Sequence, residues 1–145
     1  MIRACVSSIS VALEDTRRQI IADLRTAGFD VHSMEQFGAQ PQPPIDVCLR
    51  QVQKADVVIL LMGPRYGSLL PQGISYAHAE FREAQGAGTP ALAFRIANAP
   101  DLTTEDRERL DSFVTEVGST GVYQALSPSE PLERLSAMVL VACTK

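Results

Sequence analysis

The chain has 145 residues, enough for one domain with a substantial core. Hydrophobic residues make up 46% and charged residues 21%, which excludes a disordered chain, and a net charge of −4 without any basic run argues against a nucleic-acid partner. The opening "MIRACVSSIS" has too short an apolar run for a signal peptide, and no stretch reaches the ~18 apolar residues of a membrane span.

Cys5, Cys48 and Cys143 are widely spaced and include no C-x-x-C pair, which reads as reduced core thiols of a cytoplasmic protein. His32 and His78 stand at no ligand-type spacing to each other or to the cysteines, so no metal and no bound cofactor are expected.

Strand-type and helix-type patterns alternate along the chain. "IRACVSS" (2–8) opens as a strand, and residues 13–27 form a helix with Leu13, Ile20, Leu24 and Ala27 on one face. "FDVHSM" (29–34) is the second strand. The proline-rich "GAQPQPPID" leads into a helix on which Ile45, Cys48, Leu49 and Val52 share a face. "DVVILLM" (56–62) is a continuous apolar run, as a central strand buried on both faces requires.

After the loop 63–74, Ser75 is placed to cap a helix whose sheet-facing stripe is Ala77, Phe81 and Ala84. "TPALAFRI" (89–96) is the fourth strand, and 103–117 a helix with Leu110, Phe113, Val114 and Val117 inward. A fifth strand near 121–125 and a last helix over 130–142 complete the chain. Five strands alternating with five helices, without a linker or repeat, predict a single α/β domain. Its expected form is a flavodoxin-like three-layer sandwich around a five-stranded parallel sheet of order 2-1-3-4-5.

In that order the ligand crevice lies outside the carboxyl ends of strands 1 and 3. The loops there are "SSIS" (7–10) and "GPRYGSLLPQGIS" (63–75), among the richest in the sequence in polar residues and glycine. Gly63, Pro64 and Gly67 set turns from which Arg65 and Tyr66 project. Arg17 falls on the Ile20–Leu24 stripe and faces the sheet, with Glu35 as a possible partner. A buried ion pair that merely fixes the loops accounts for Arg17 and Glu35 equally well, and turn chemistry does the same for Ser7 and Ser8. Glu80 sits at the edge of the apolar stripe on the side of Tyr76, with Glu83 further toward solvent. A carboxylate there is partly desolvated and needs a partner, and a boundary salt bridge is the ordinary explanation.

Two uses of the architecture lack their residues. A phospho-acceptor domain needs an aspartate where the third strand ends "LLMG", and neither G-x-G-x-x-G nor G-x-x-x-x-G-K-[ST] occurs. An FMN-binding flavodoxin is matched only loosely by "SSIS".

"CVSSIS", Arg17, "SME" (33–35), "ADVVILLMGPRYGS" (55–68), "GISYAHAEFREA" (73–84) and "GTPALAF" (88–94) together resemble the domain-of-unknown-function family 4062. Members of that family often precede NTPase and repeat modules in signalling and defence proteins. The family is similar to the TIR and nucleoside 2-deoxyribosyltransferase group, which works on N-glycosidic bonds of NAD or nucleosides. That resemblance implies a catalytic glutamate at Glu80. It also implies a nucleotide or nucleoside crevice drawing on Ser7, Ser8, Arg17, Glu35, Gly63, Arg65, Tyr66, Ser75 and Tyr76. NAD then enters as a possible substrate, and self-association and a C-terminal effector or NTPase module are the partners implied. Where the family has Phe-x-Asp after its paired serines, this chain has Ser10, Val11 and Ala12. A non-catalytic assembly module, with Leu69 and Leu70 exposed, is the competing expectation, and a nucleotide sensor that binds without turnover lies between the two.

Overall fold

The computed structural model describes residues 2–7, 14–32, 45–63, 66, 69–95 and 100–119. Strand β1 (Arg3–Ser7) leads to helix α1 (Glu14–Thr26), then β2 (Asp30–His32), α2 (Ile45–Lys54), β3 (Val57–Met62), α3 (Tyr76–Ala87), β4 (Ala91–Arg95) and α4 (Thr104–Gly118). The strands form one sheet in the order β2-β1-β3-β4, and every pairing is parallel. Ser7 stands opposite Leu60, and Met62 opposite Arg95. The order and the parallel pairing agree with expectation, and the α/β architecture is consistent with a flavodoxin-like fold. The fifth strand and the last helix expected at 121–125 and 130–142 lie outside the described residues.

Each strand divides its residues between two layers because successive side chains point to opposite faces. Ala4, Val6, Ile59, Leu61 and Phe94 pack on one face with Ile20, Ile21 and Leu24 of α1. Cys5, Val58, Leu60, Met62, Ala91 and Ala93 pack on the other with Val52, Phe81 and Phe113 of α2, α3 and α4. The central strand "VVILLM" is apolar at every position because both of its faces are covered.

The α1 stripe differs from the expected one at its end. Ala27 is exposed and Ile21 is buried in its place. The chain leaves the helix at Gly28, whose φ of 98° needs a residue without Cβ. Gly28 N–H then donates to Arg25 O and Phe29 N–H to Leu24 O, a Schellman closure sealed by Phe29 against the Leu24 cluster. Helix α3 ends the same way, with Gly88 at φ 73° and Thr89 N–H donating to Ala84 O at 2.8 Å. At its start Ser75 Oγ accepts from His78 N–H, the cap that the sequence indicated.

Candidate active site

The strand order reverses between β1 and β3, so the crevice of a doubly wound sheet opens at Ser7, the last residue of β1. Alternation along β1 sends Ser7 to the same face as Cys5, under α2 and α3. Its side chain is buried, and its Oγ has no hydrogen-bond partner among the described residues.

Helix α3 meets that face with three sides occupied. Ala77, Phe81 and Ala84 lie down on the sheet. Toward α4, Arg82 makes a two-pronged contact with Glu116 at 2.9 and 3.1 Å. Toward α2, Gln53 donates to Glu83, and Glu80 lies on the same flank one turn nearer the crevice.

Glu80 is only 2% exposed, deeper than the boundary position its spacing suggested. Its Oε1 has no hydrogen-bond partner among the described residues. Burial pushes its pKa up to about 8, against the pull of the Ser7 hydroxyl and of the Arg17 guanidinium, which both favour the charged form. Ser7 is therefore close enough to Glu80 to act on it, without the alignment of a proper hydrogen bond. The same carboxyl acts on two thiols. Burial first, and then Glu80, drives Cys5 well above the ordinary thiol range and Cys48 up to about 11. Ser7 and Cys5 of β1, Arg17 of α1 and Cys48 of α2 thus all lie within electrostatic reach of Glu80 on α3.

A buried acid whose oxygen is left without a partner is uncommon in a stable interior. Stability alone favours an apolar residue there, which makes Glu80 the candidate functional group of this face.

The remaining expected residues divide. Tyr76 is half-buried at the first turn of α3, four residues before Glu80 and on its flank. Gly63 ends β3 with φ 113°, a conformation that suits glycine. Tyr66 does not project into the crevice as expected. It is 4% exposed, its ring packs edge-on against Phe113, and its hydroxyl is 2.6 Å from His78 Nδ1. Ser75 N–H donates to the same hydroxyl at 3.2 Å, so Ser75 serves the loop and the helix cap. Leu70 is also buried, which leaves Leu69, 44% exposed, as the apolar tip of the loop. Ser8, Glu35 and Arg65 lie outside the described residues.

In the sequence His78 is weighed only as a metal ligand, and Glu116 is not singled out. His78 is buried, stacked on Phe113 at 4.3 Å, with Nε2 3.1 Å from Glu116 Oε1. The visible signals were i, i+4 spacing of His78 with Arg82 and i, i+3 spacing of Phe113 with Glu116. Among the described residues, no group of three His, Cys, Asp or Glu side chains could hold a metal ion. Nor is any described helix long and apolar enough to cross a membrane.

The profile of a domain of unknown function, DUF4062, matches residues 3–136. The chain belongs to the DUF4062 family. Among solved structures, this DUF4062 domain is similar to the CMP N-glycosidase BcmB of Clostridium botulinum. The TM-score is 0.51 at 17% identity, over 93% of this chain and 98% of that one. At that identity the likeness is one of fold. No curated protein matches the DUF4062 chain.

Proposed function

We propose that this domain hydrolyses the N-glycosidic bond of a nucleotide or nucleoside, with Glu80 as the carboxylate that meets the ribosyl cation. The observation that carries the reading is Glu80, buried at the switch point of the sheet beside the Ser7 hydroxyl, with its Oε1 lacking a hydrogen-bond partner among the described residues. The fold shared with a CMP N-glycosidase supports the same class of chemistry. NAD is the substrate suggested by the TIR-like resemblance, and a pyrimidine nucleotide is the one suggested by the structural neighbour.

In the reaction the C1′–N bond breaks and the base departs with the electron pair. Water's oxygen bonds to C1′, and its proton goes to the departing base, or to solvent where the base leaves neutral, as nicotinamide does. Positive charge develops on the ribose ring between these events. An ionised Glu80 opposes that charge in a site of low dielectric, where such stabilisation is largest. In this reading Ser7 meets a ribose hydroxyl and Tyr76 stacks on the base. Arg65 is proposed to meet the phosphates, and backbone N–H groups around Ser7 and Ser8 to complete the crevice. A defence or signalling setting, and assembly with further modules, rest on the family resemblance.

The test is incubation of concentrated protein with NAD, CMP and nucleosides, following release of the free base. The wild type is expected to release base from at least one of them, and Glu80→Gln to lose that release about 10²–10³-fold while still binding. If the wild type releases base from none, the catalytic reading falls. The exposed Leu69 then favours the assembly reading, checked by sedimentation of wild type against Leu69→Asp.

A further inference from the structure

Tyr66, Ser75, His78 and Glu116 form a chain of polar contacts through an otherwise apolar layer. Tyr66 Oη accepts from Ser75 N–H and lies 2.6 Å from His78 Nδ1. Burial lowers the pKa of His78, outweighing the favourable carboxylate of Glu116, and so favours the neutral ring. The Glu116 carboxylate, itself held ionised first by Arg82, faces Nε2. An acceptor there assigns the ring proton to Nε2 and leaves Nδ1 to accept from the Tyr66 hydroxyl. The His78–Glu116 contact at 3.1 Å is off the line of a straight hydrogen bond. The Tyr66 hydroxyl is thus fully used, once as donor and once as acceptor.

These contacts tie the β3–α3 loop to α3 at one place. Past Tyr66 the chain folds back on itself, with Leu69 bridging Ser75 and Leu70 N–H donating to Ile74 O at 2.7 Å. The His78 ring, stacked on Phe113, fixes how α3 is rolled against α4. Residues two apart on a helix lie about 200° apart around its axis, so His78 and Glu80 occupy opposite flanks. Any roll that moves His78 therefore carries Glu80 the other way. A roll of about 10° displaces a group carried roughly 6 Å from the axis by about 1 Å. A misplacement of that size can cost about 100-fold in rate.

We propose that Tyr66 and His78 are positioning residues for Glu80: they clamp the β3–α3 loop to α3 and set the roll of the helix that holds the Glu80 carboxyl against Ser7. This rests on Glu80 acting as proposed above, but the clamp itself is testable without turnover. Neither side chain needs to touch the substrate. Their expected effect is on geometry at the opposite flank.

The experiment follows the Glu80 carboxyl by carbon-13 NMR of glutamate-labelled protein across pH, assigned by the signal missing in Glu80→Gln. Tyr66→Phe removes one oxygen and keeps the ring, and His78→Asn keeps an acceptor near the Nδ1 position while losing the stack. If the clamp positions Glu80, both variants shift its titration midpoint by about one unit or more. Tyr66→Phe, the smaller change, keeps the test open should His78→Asn fail to fold. Where base release is found, kcat is expected to fall about 10- to 100-fold with KM nearly unchanged. An unchanged Glu80 midpoint in folded Tyr66→Phe, with only a lower melting temperature, overturns the proposal. Absence of base release in the wild type overturns the catalytic reading instead, and the NMR result then still decides the clamp.

Discussion

Glu80 and His78 stand two residues apart on α3, both buried, on opposite flanks, and burial pushes each toward its neutral form. For Glu80 that means a pKa raised to about 8 from 4.5. For His78 it means a pKa lowered from 6.5. The two shifts act on stability with opposite signs.

The folded-state pKa of Glu80 lies above its unfolded value. Its contribution is fully present below about pH 4.5 and is lost as pH rises through about 8. The folded-state pKa of His78 lies below its unfolded value. Its contribution is present above about 6.5 and is lost as pH falls. Where both groups titrate, below about pH 6.5, the two slopes oppose each other, and above about pH 6.5 stability falls as the Glu80 contribution is lost. Urea unfolding from pH 4 to 9 checks this, with His78→Asn expected to let the fall begin at lower pH because the opposing slope is removed. A monotonic rise in stability from pH 5 to 9 would contradict the assignment.

The alkaline limb belongs to Glu80. Glu80→Gln keeps the shape and removes the charge that must be desolvated. Near pH 9 the variant is expected to be more stable than wild type by on the order of 1–3 kcal/mol, the buried amide retaining part of the cost. Below about pH 5 the two should be nearly equal. Glu83→Gln is the control: its carboxylate meets Gln53 at the surface, and the change should stay within about 0.5 kcal/mol at every pH. A Glu80→Gln protein less stable than wild type at pH 9 would show that the carboxylate has a stabilising partner.

Much of this arrangement is legible in the sequence wherever it depends on local pattern. The run "VVILLM" marks a doubly covered strand, Ser75 marks a cap, and the Ala77–Phe81–Ala84 stripe fixes which way α3 faces. Glu80 stands out for the same reason, as an acid beside that stripe. What depends on contacts between distant residues is not legible. Tyr66 reads as a projecting loop residue, and only packing against Phe113 and His78 turns it inward. Leu69 and Leu70 are indistinguishable in sequence, and the bridge between Leu69 and Ser75 decides which is exposed. Glu116 lies 34 residues beyond Arg82, too far for any periodicity to pair them.

The thiols give a third prediction. Cys5 and Cys48 are buried thiols, and desolvation together with Glu80 disfavours both thiolates. Iodoacetamide at pH 8 should leave both unmodified in the folded protein and alkylate both in urea, read by peptide mass mapping. Glu80→Gln removes a charge that disfavours the thiolate but not the burial, so protection should persist. Rapid native alkylation of Cys48 would show that α2 opens away from α3.

The last prediction separates two chemical roles for Glu80 by the direction of a pH–rate curve. The dependence of kcat/KM on pH reports groups of the free enzyme. If Glu80 acts as a carboxylate opposing the ribosyl cation, only the ionised fraction is competent, and burial keeps that fraction small at pH 7. The rate then climbs with pH to a midpoint near 8. Were Glu80 instead to protonate the departing base, the neutral form would be competent and the rate would fall through the same midpoint. Arg17 gives an internal check, because its charge favours the ionised carboxyl. Arg17→Gln should move the ascending midpoint to higher pH, at the cost of rate at neutral pH. Measuring kcat/KM for base release from pH 6 to 9.5 in both proteins decides between the roles. A descending limb, shifted upward by Arg17→Gln, would assign Glu80 as the acid and leave cation stabilisation to another group.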